Sequence, residues 1–75
     1  MTSLHTIAPG TSARLVSIGG ERSFRRRLME LGFLPGTSVR LVRRVDIGSL
    51  VELEVRGCHV SLRHSEAELL LVEPA

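Results

Sequence analysis

Thr37-Ser38-Val39-Arg40-Leu41-Val42-Arg43-Arg44-Val45-Asp46-Ile47-Gly48-Ser49-Leu50-Val51-Glu52-Leu53-Glu54-Val55-Arg56-Gly57-Cys58-His59-Val60-Ser61-Leu62-Arg63 contains three segments in a row that alternate with period two. Val39, Leu41 and Val45 share one side of residues 37–45, Val51, Leu53 and Val55 one side of 50–56, and Cys58, Val60 and Leu62 one side of 58–63. The opposite sides carry Arg40, Arg44, Glu52, Glu54, Arg56, His59, Ser61 and Arg63. Successive side chains of an extended chain point to opposite faces, so this pattern predicts antiparallel strands with one face on a core and the other in water. Asp46-Ile47-Gly48-Ser49 supplies the first reversal and Gly57 the second.

On the N-terminal side the period changes. Phe24, Leu28 and Leu31 recur at i, i+4 and i+7, which stacks them on one face of a short helix over residues 21–31. Glu21 suits the first turn of that helix, and Gly32 is the expected left-handed cap at its end. Phe33-Leu34-Pro35-Gly36 then reads as a Pro-Gly turn. Ahead of the helix, Pro9-Gly10 opens a strand over residues 12–18 that Gly19-Gly20 closes. Beyond residue 63, Ser65-Glu66-Ala67-Glu68 is a helical turn and Leu69-Leu70-Leu71-Val72 a last strand. Five short antiparallel strands with one helix after the first predict a mostly β fold, a small partly open SH3-like barrel, since closure hides sheet edges.

Seventy-five residues make one domain, 1–75, with the core expected within about residues 4–73. Hydrophobic residues at 43% and charged residues at 24% fit a globular chain. No apolar run approaches the roughly 20 residues of a membrane helix, and the N-terminus has no leader-like pattern, so a cytoplasmic protein is expected. All ten basic residues are Arg, against eight acidic ones, a formal charge of +2. No serine sits in a nucleophile-elbow context and no Gly-rich phosphate loop is present, so neither an enzyme nor a nucleotide binder is expected. His5, Cys58, His59 and His64 are the candidate metal ligands. Cys58 and His59 point to opposite faces, Cys58 as a small core residue, so no metal site within one molecule and no cofactor are expected. Surface His59 and His64 remain as adventitious ligands, or as a pair that catches a metal between two molecules.

Phe24 and Phe33 are the only aromatics, which leaves no stacking platform for nucleic acid. The outer side of the helix is more informative. Projected at about 100° per residue, Arg22, Arg25, Arg26 and Met29 gather opposite the apolar face. Met and Arg are enriched where proteins meet, so these four are the expected partner surface, with Ile47 and Leu50 as a second candidate.

The run Arg27-Leu28-Met29-Glu30-Leu31-Gly32-Phe33-Leu34-Pro35-Gly36-Thr37 resembles the Arg-Leu-x-x-Leu-Gly-x-x-Pro-Gly-Thr/Ser signature of the FeoA family, small proteins of bacterial ferrous iron transport. The similarity extends from about Leu4 to Glu73, through Arg14-Leu15-Val16-Ser17-Ile18 and through Val55 to Arg63. It implies an SH3-like accessory or regulatory protein whose partner is FeoB, a membrane iron permease with a cytoplasmic GTPase domain, and recruitment to the inner membrane through that partner. Transition metal ion binding belongs to the same family-level expectation. Within the signature, Arg27, Leu28, Leu31, Gly32, Pro35 and Gly36 are expected to build the helix-to-strand corner, Arg27 by reaching loop carbonyls or a carboxylate such as Glu66. The loop Val45-Asp46-Ile47-Gly48-Ser49-Leu50 departs from the Pro and Gly-Asp-Pro of many family members. A free-standing SH3-like adaptor, a metalloregulator-type domain, a weak nucleic-acid binder and a weak homodimer stay open as alternatives.

Overall fold

Gly57 and the 46–49 turn fold the three alternating segments back on one another in the computed structural model, which describes residues 1–74. In chain order the elements are β1 (Thr2–Ser3), a 3-10 turn (Leu4–Thr6), β2 (Ser12–Ile18), α1 (Arg22–Glu30), β3 (Ser38–Val45), β4 (Leu50–Val55), β5 (Cys58–Arg63), α2 (His64–Ala67) and β6 (Leu70–Pro74). One antiparallel sheet holds the strands in the order β1-β6-β2-β3-β4-β5. Extents of 27 × 25 × 23 Å show that this open sheet is curled on itself, giving the SH3-like architecture. The sixth strand is β1, two residues that pair with Val72 and Leu71.

Val39, Leu41, Val51, Leu53, Val55 and Leu62 fill the inside of the curl, joined by Leu15, Leu70 and Val72 from the other half of the sheet. Leu28 is fully buried and plants α1 on this core, while Phe24 packs against it half-buried. The end of α1 follows from hydrogen bonding. Gly32 N–H donates to the Met29 carbonyl and Phe33 N–H to the Leu28 carbonyl, both at 3.0 Å, the paired bonds of a Schellman cap with Gly32 at φ +108°. This cap turns the chain so that Phe33 enters the core, fully buried. Leu31, expected on the buried face, is the C-cap residue and 44% exposed, because the helix ends at Glu30 before its last apolar position meets the sheet. Glu21 stands one residue ahead of the helix, as an N-cap without a side-chain bond. Gly36, at φ +89°, completes the Pro35 turn, in which Thr37 N–H donates to the Leu34 carbonyl at 2.9 Å.

A register shift in β3 corrects the simple alternation. Leu41 faces Leu53, but Arg43 faces Glu52, so Val42 is an extra residue in a β-bulge. The bulge moves Arg43 to the outer face and sets Arg44 opposite Val51 on the inner one. Arg44 lies near the end of the curl, and its Nη2 reaches the 3-10 turn, donating to the His5 carbonyl and, at 2.6 Å, to the Ile7 carbonyl. Cys58 is also displaced from expectation. It opens the edge strand β5 directly after the Gly57 turn, where the curl has no layer to cover it, and it is exposed.

Register also places the outer charges. Arg40 faces Glu54 (2.7 Å), Arg43 faces Glu52 (2.9 Å) and Arg14 faces Glu73 (3.1 Å). Hydrogen bonds from Arg43 and Arg40 hold the Glu52 and Glu54 carboxyls below their ordinary value of 4.5. A carboxyl with a lowered folded-state pKa adds stability above its unfolded pKa, and this is lost as pH falls through the folded value. Acid denaturation is therefore expected to include these two groups: the Glu52→Gln/Glu54→Gln variant should show a flatter loss of stability between about pH 5 and 3. Urea midpoints across that range check it. The effect is small, as exposed pairs contribute little.

Candidate functional site

The buried Leu28 fixes which side of α1 faces outward. Arg22, Arg25 and Arg26 are exposed there, and Met29 is 41% exposed among them. Together with Glu30 they line a shallow depression of about 350 Å³. Arg25 and Met29 also border a second hollow, of about 200 Å³, whose floor includes Val16, Ile18, Phe33 and Pro35 between α1 and β2. The structure thus brings the four expected partner residues together on one face. Leu31 and Leu34, 44% and 41% exposed beyond the end of the helix, border neither hollow; the exposure of Leu31 is a consequence of the Schellman cap that removes it from the core.

What distinguishes this face electrostatically is that three arginines without a carboxylate partner among the described residues gather around one methionine, whereas Arg56 and Arg63, which also lack one, stand on other elements. Arg14, Arg40 and Arg43 are matched across the sheet, Arg27 lies 3.3 Å from Glu66, and Arg44 is taken up by backbone carbonyls. Among the described residues, Arg22, Arg25 and Arg26 have no carboxylate within salt-bridge distance. Unpaired positive charge around a methionine suits an acidic surface that offers one apolar side chain. Arg27 has a different place. Its guanidinium lies 5.6 Å from the centre of the Phe24 ring and ties α1 to α2 through Glu66, which also accepts the Arg63 N–H at 2.9 Å.

The second candidate surface divides. Ile47 projects from the tip of the 46–49 turn, 89% exposed, whereas Leu50 is half-buried beside Arg44, Asp46 and His64 around a hollow of about 180 Å³. Only Leu50 of the pair borders that hollow.

The candidate metal ligands do not gather as a set. Among the described residues no group of three or more His, Cys, Asp or Glu converges. His59 lies on the outer face with Nε2 3.6 Å from a Glu54 oxygen, and Cys58 is exposed at the other end of β5 from His64. One juxtaposition had no signal in the sequence. His5 and His64 meet with ring centres 4.9 Å apart, brought together by the β1–β6 pairing and by α2.

The FeoA domain model matches residues 2–74. The Fe(2+) transport protein A/Fe(2+) transporter FeoB fusion protein of Porphyromonas gingivalis is 32% identical over 73 residues, 97% of this chain and 8% of that protein. The solution structure of the FeoA protein from Chlorobium tepidum superposes with a TM-score of 0.91 at 30% identity, over 97% of this chain and 70% of the other. The zinc complex of Stenotrophomonas maltophilia FeoA, described as a procaryotic SH3 domain protein, does so at 0.83 and 31% identity, over 97% and 91%. No helix among the described residues is long and apolar enough to cross a membrane.

Proposed function

The chain belongs to the FeoA family, and from that premise we propose that it is a cytoplasmic accessory protein of bacterial ferrous iron uptake that acts by binding an FeoB-type permease. The observation that carries this reading is the Porphyromonas gingivalis fusion, in which a relative of nearly the whole chain is joined to the transporter itself. Fusion keeps two parts at high local concentration, an arrangement that serves parts which work in contact. The chain spans 8% of that protein, so the transporter's own activity lies in the remainder.

Contact falls on the outer face of α1. Arg22, Arg25 and Arg26 supply fixed positive charge that no carboxylate among the described residues pairs with, and Met29 supplies an adaptable apolar anchor in the hollow between them. Such a face steers an acidic partner and holds it without a catalytic step. The test is co-purification of the chain with full-length FeoB in detergent, followed by ferrous iron uptake in cells with and without the chain. A stable complex and faster uptake are the expected results. Absence of a complex at low salt together with unaltered uptake would overturn the reading.

A further inference from the structure

We propose that His5 and His64 form a two-imidazole site for a borderline divalent transition metal, zinc or copper(II), within one molecule. The two rings lie 4.9 Å apart between centres. Two imidazoles that share one ion at metal–nitrogen distances of about 2.0–2.1 Å place their centres roughly 4.5–5.3 Å apart, at angles from octahedral to tetrahedral. The observed distance between centres falls within that range. The rings stand at 89° to each other, and rotation of the His64 ring about its soft Cβ–Cγ torsion supplies the remaining alignment.

The hydrogen bonds prepare the correct nitrogen of His5. Ser3 has one hydroxyl proton, and it goes to the Glu68 backbone carbonyl at 2.8 Å, an oxygen that can only accept. The Ser3 oxygen, 2.7 Å from His5 Nδ1, must therefore accept the Nδ1–H. This fixes the His5 tautomer and leaves the Nε2 lone pair free. His64 Nδ1 lies 3.7 Å from a Glu68 carboxylate oxygen, beyond hydrogen-bonding distance, so no hydrogen bond holds this ring and it is free to turn Nε2 toward the ion. An imidazole held through its other nitrogen by a hydroxyl or carboxylate is the usual supporting arrangement of a metal ligand.

The Glu68 carbonyl thus supports the His5 ring through Ser3. No third ligand joins them among the described residues, so the other coordination positions are open to water or to a donor from another molecule. The ion displaces protons from neither ring when both are neutral, and acid weakens binding by competing for the same Nε2 atoms. Softer thiolate chemistry is not involved, as Cys58 lies at the far end of β5. Copper(II) binds more tightly than zinc, following the general order for nitrogen ligands.

Calorimetric titration of the tag-free chain with zinc chloride and copper(II) chloride tests the site. His5→Ala and His64→Ala each lower the affinity by more than about tenfold, and Ser3→Ala, which keeps both imidazoles, lowers it about tenfold, the size expected for loss of an orienting group. His59→Ala leaves it unchanged. Zinc raises the melting temperature of the wild type and of His59→Ala but not of His5→Ala, because a ligand that binds only the folded state stabilises it. Nitrogen-15 imidazole spectra of the wild type read the same point without substitution: zinc shifts Nε2 of His5 and His64. Shifts confined to His59, or affinities indifferent to His5 and His64, overturn the proposal. The result stands apart from any measurement with FeoB.

Discussion

Replacing Phe33 by Ala is expected to remove a large part of the protein's stability. Phe33 is the largest fully buried side chain, and it reaches the core only because the Gly32 cap reverses the chain at the end of α1. Truncating a buried Phe costs about 3–5 kcal/mol through lost transfer energy and the cavity left behind. The whole stability of a chain of 75 residues is of order 4–11 kcal/mol at roughly 0.05–0.15 kcal/mol per residue. The loss is therefore a large part of the total. At about 4–8 °C per kcal/mol for a domain this small, the melting temperature should fall by roughly 12 °C or more. Phe24→Ala is the control, and it should cost clearly less, as Phe24 is only half-buried and its ring keeps contact with water. Thermal and urea denaturation followed by circular dichroism measure both. Equal losses at the two positions would contradict the placement of Phe33 as the aromatic centre of the core.

Reversing charge at two helix positions, Arg25→Glu with Arg26→Glu, is expected to weaken association with FeoB at least about tenfold while the domain stays folded, since like charges brought together at an interface cost several kcal/mol. The fold survives because neither guanidinium has a carboxylate within salt-bridge distance among the described residues. Their removal leaves no buried group unpaired. The association of the wild type should also weaken as salt rises, because exposed charges are screened beyond a Debye length of about 10 Å at 0.1 M. The variant should show a flatter salt dependence. Met29→Ala is expected to slow no encounter and to shorten the lifetime of the complex instead, because an apolar anchor acts on dissociation. A calorimetric titration in which the folded double variant binds as well as wild type would remove this face of α1 from the interface.

The candidate surface was legible before the fold because helical projection needs only the 100° step and the residue types. Arg22, Arg25, Arg26 and Met29 fall on one side of any helix spanning them, and burial of Leu28 then decides that this side is outward. The same projection failed at Leu31. A helix that stops one residue earlier carries its final apolar residue out of the core, and the position of that stop depends on where Gly32 and Phe33 find their carbonyl partners.

By itself the amino-acid sequence determined five of the six strands, helix α1 and the turns between them, because period-two and 3.6-residue patterns, together with turn glycines, act through neighbours along the chain, whereas β1 exists only through its pairing with β6. Only the tertiary structure decided the features that need one strand to know its register against another. The bulge at Val42 exchanges the faces of Arg43 and Arg44, Cys58 opens an uncovered edge, and His5 meets His64 across almost the whole length of the chain. Each of these is settled by pairing between segments far apart in sequence. A one-residue slip there turns side chains to the other face, and no local pattern records it.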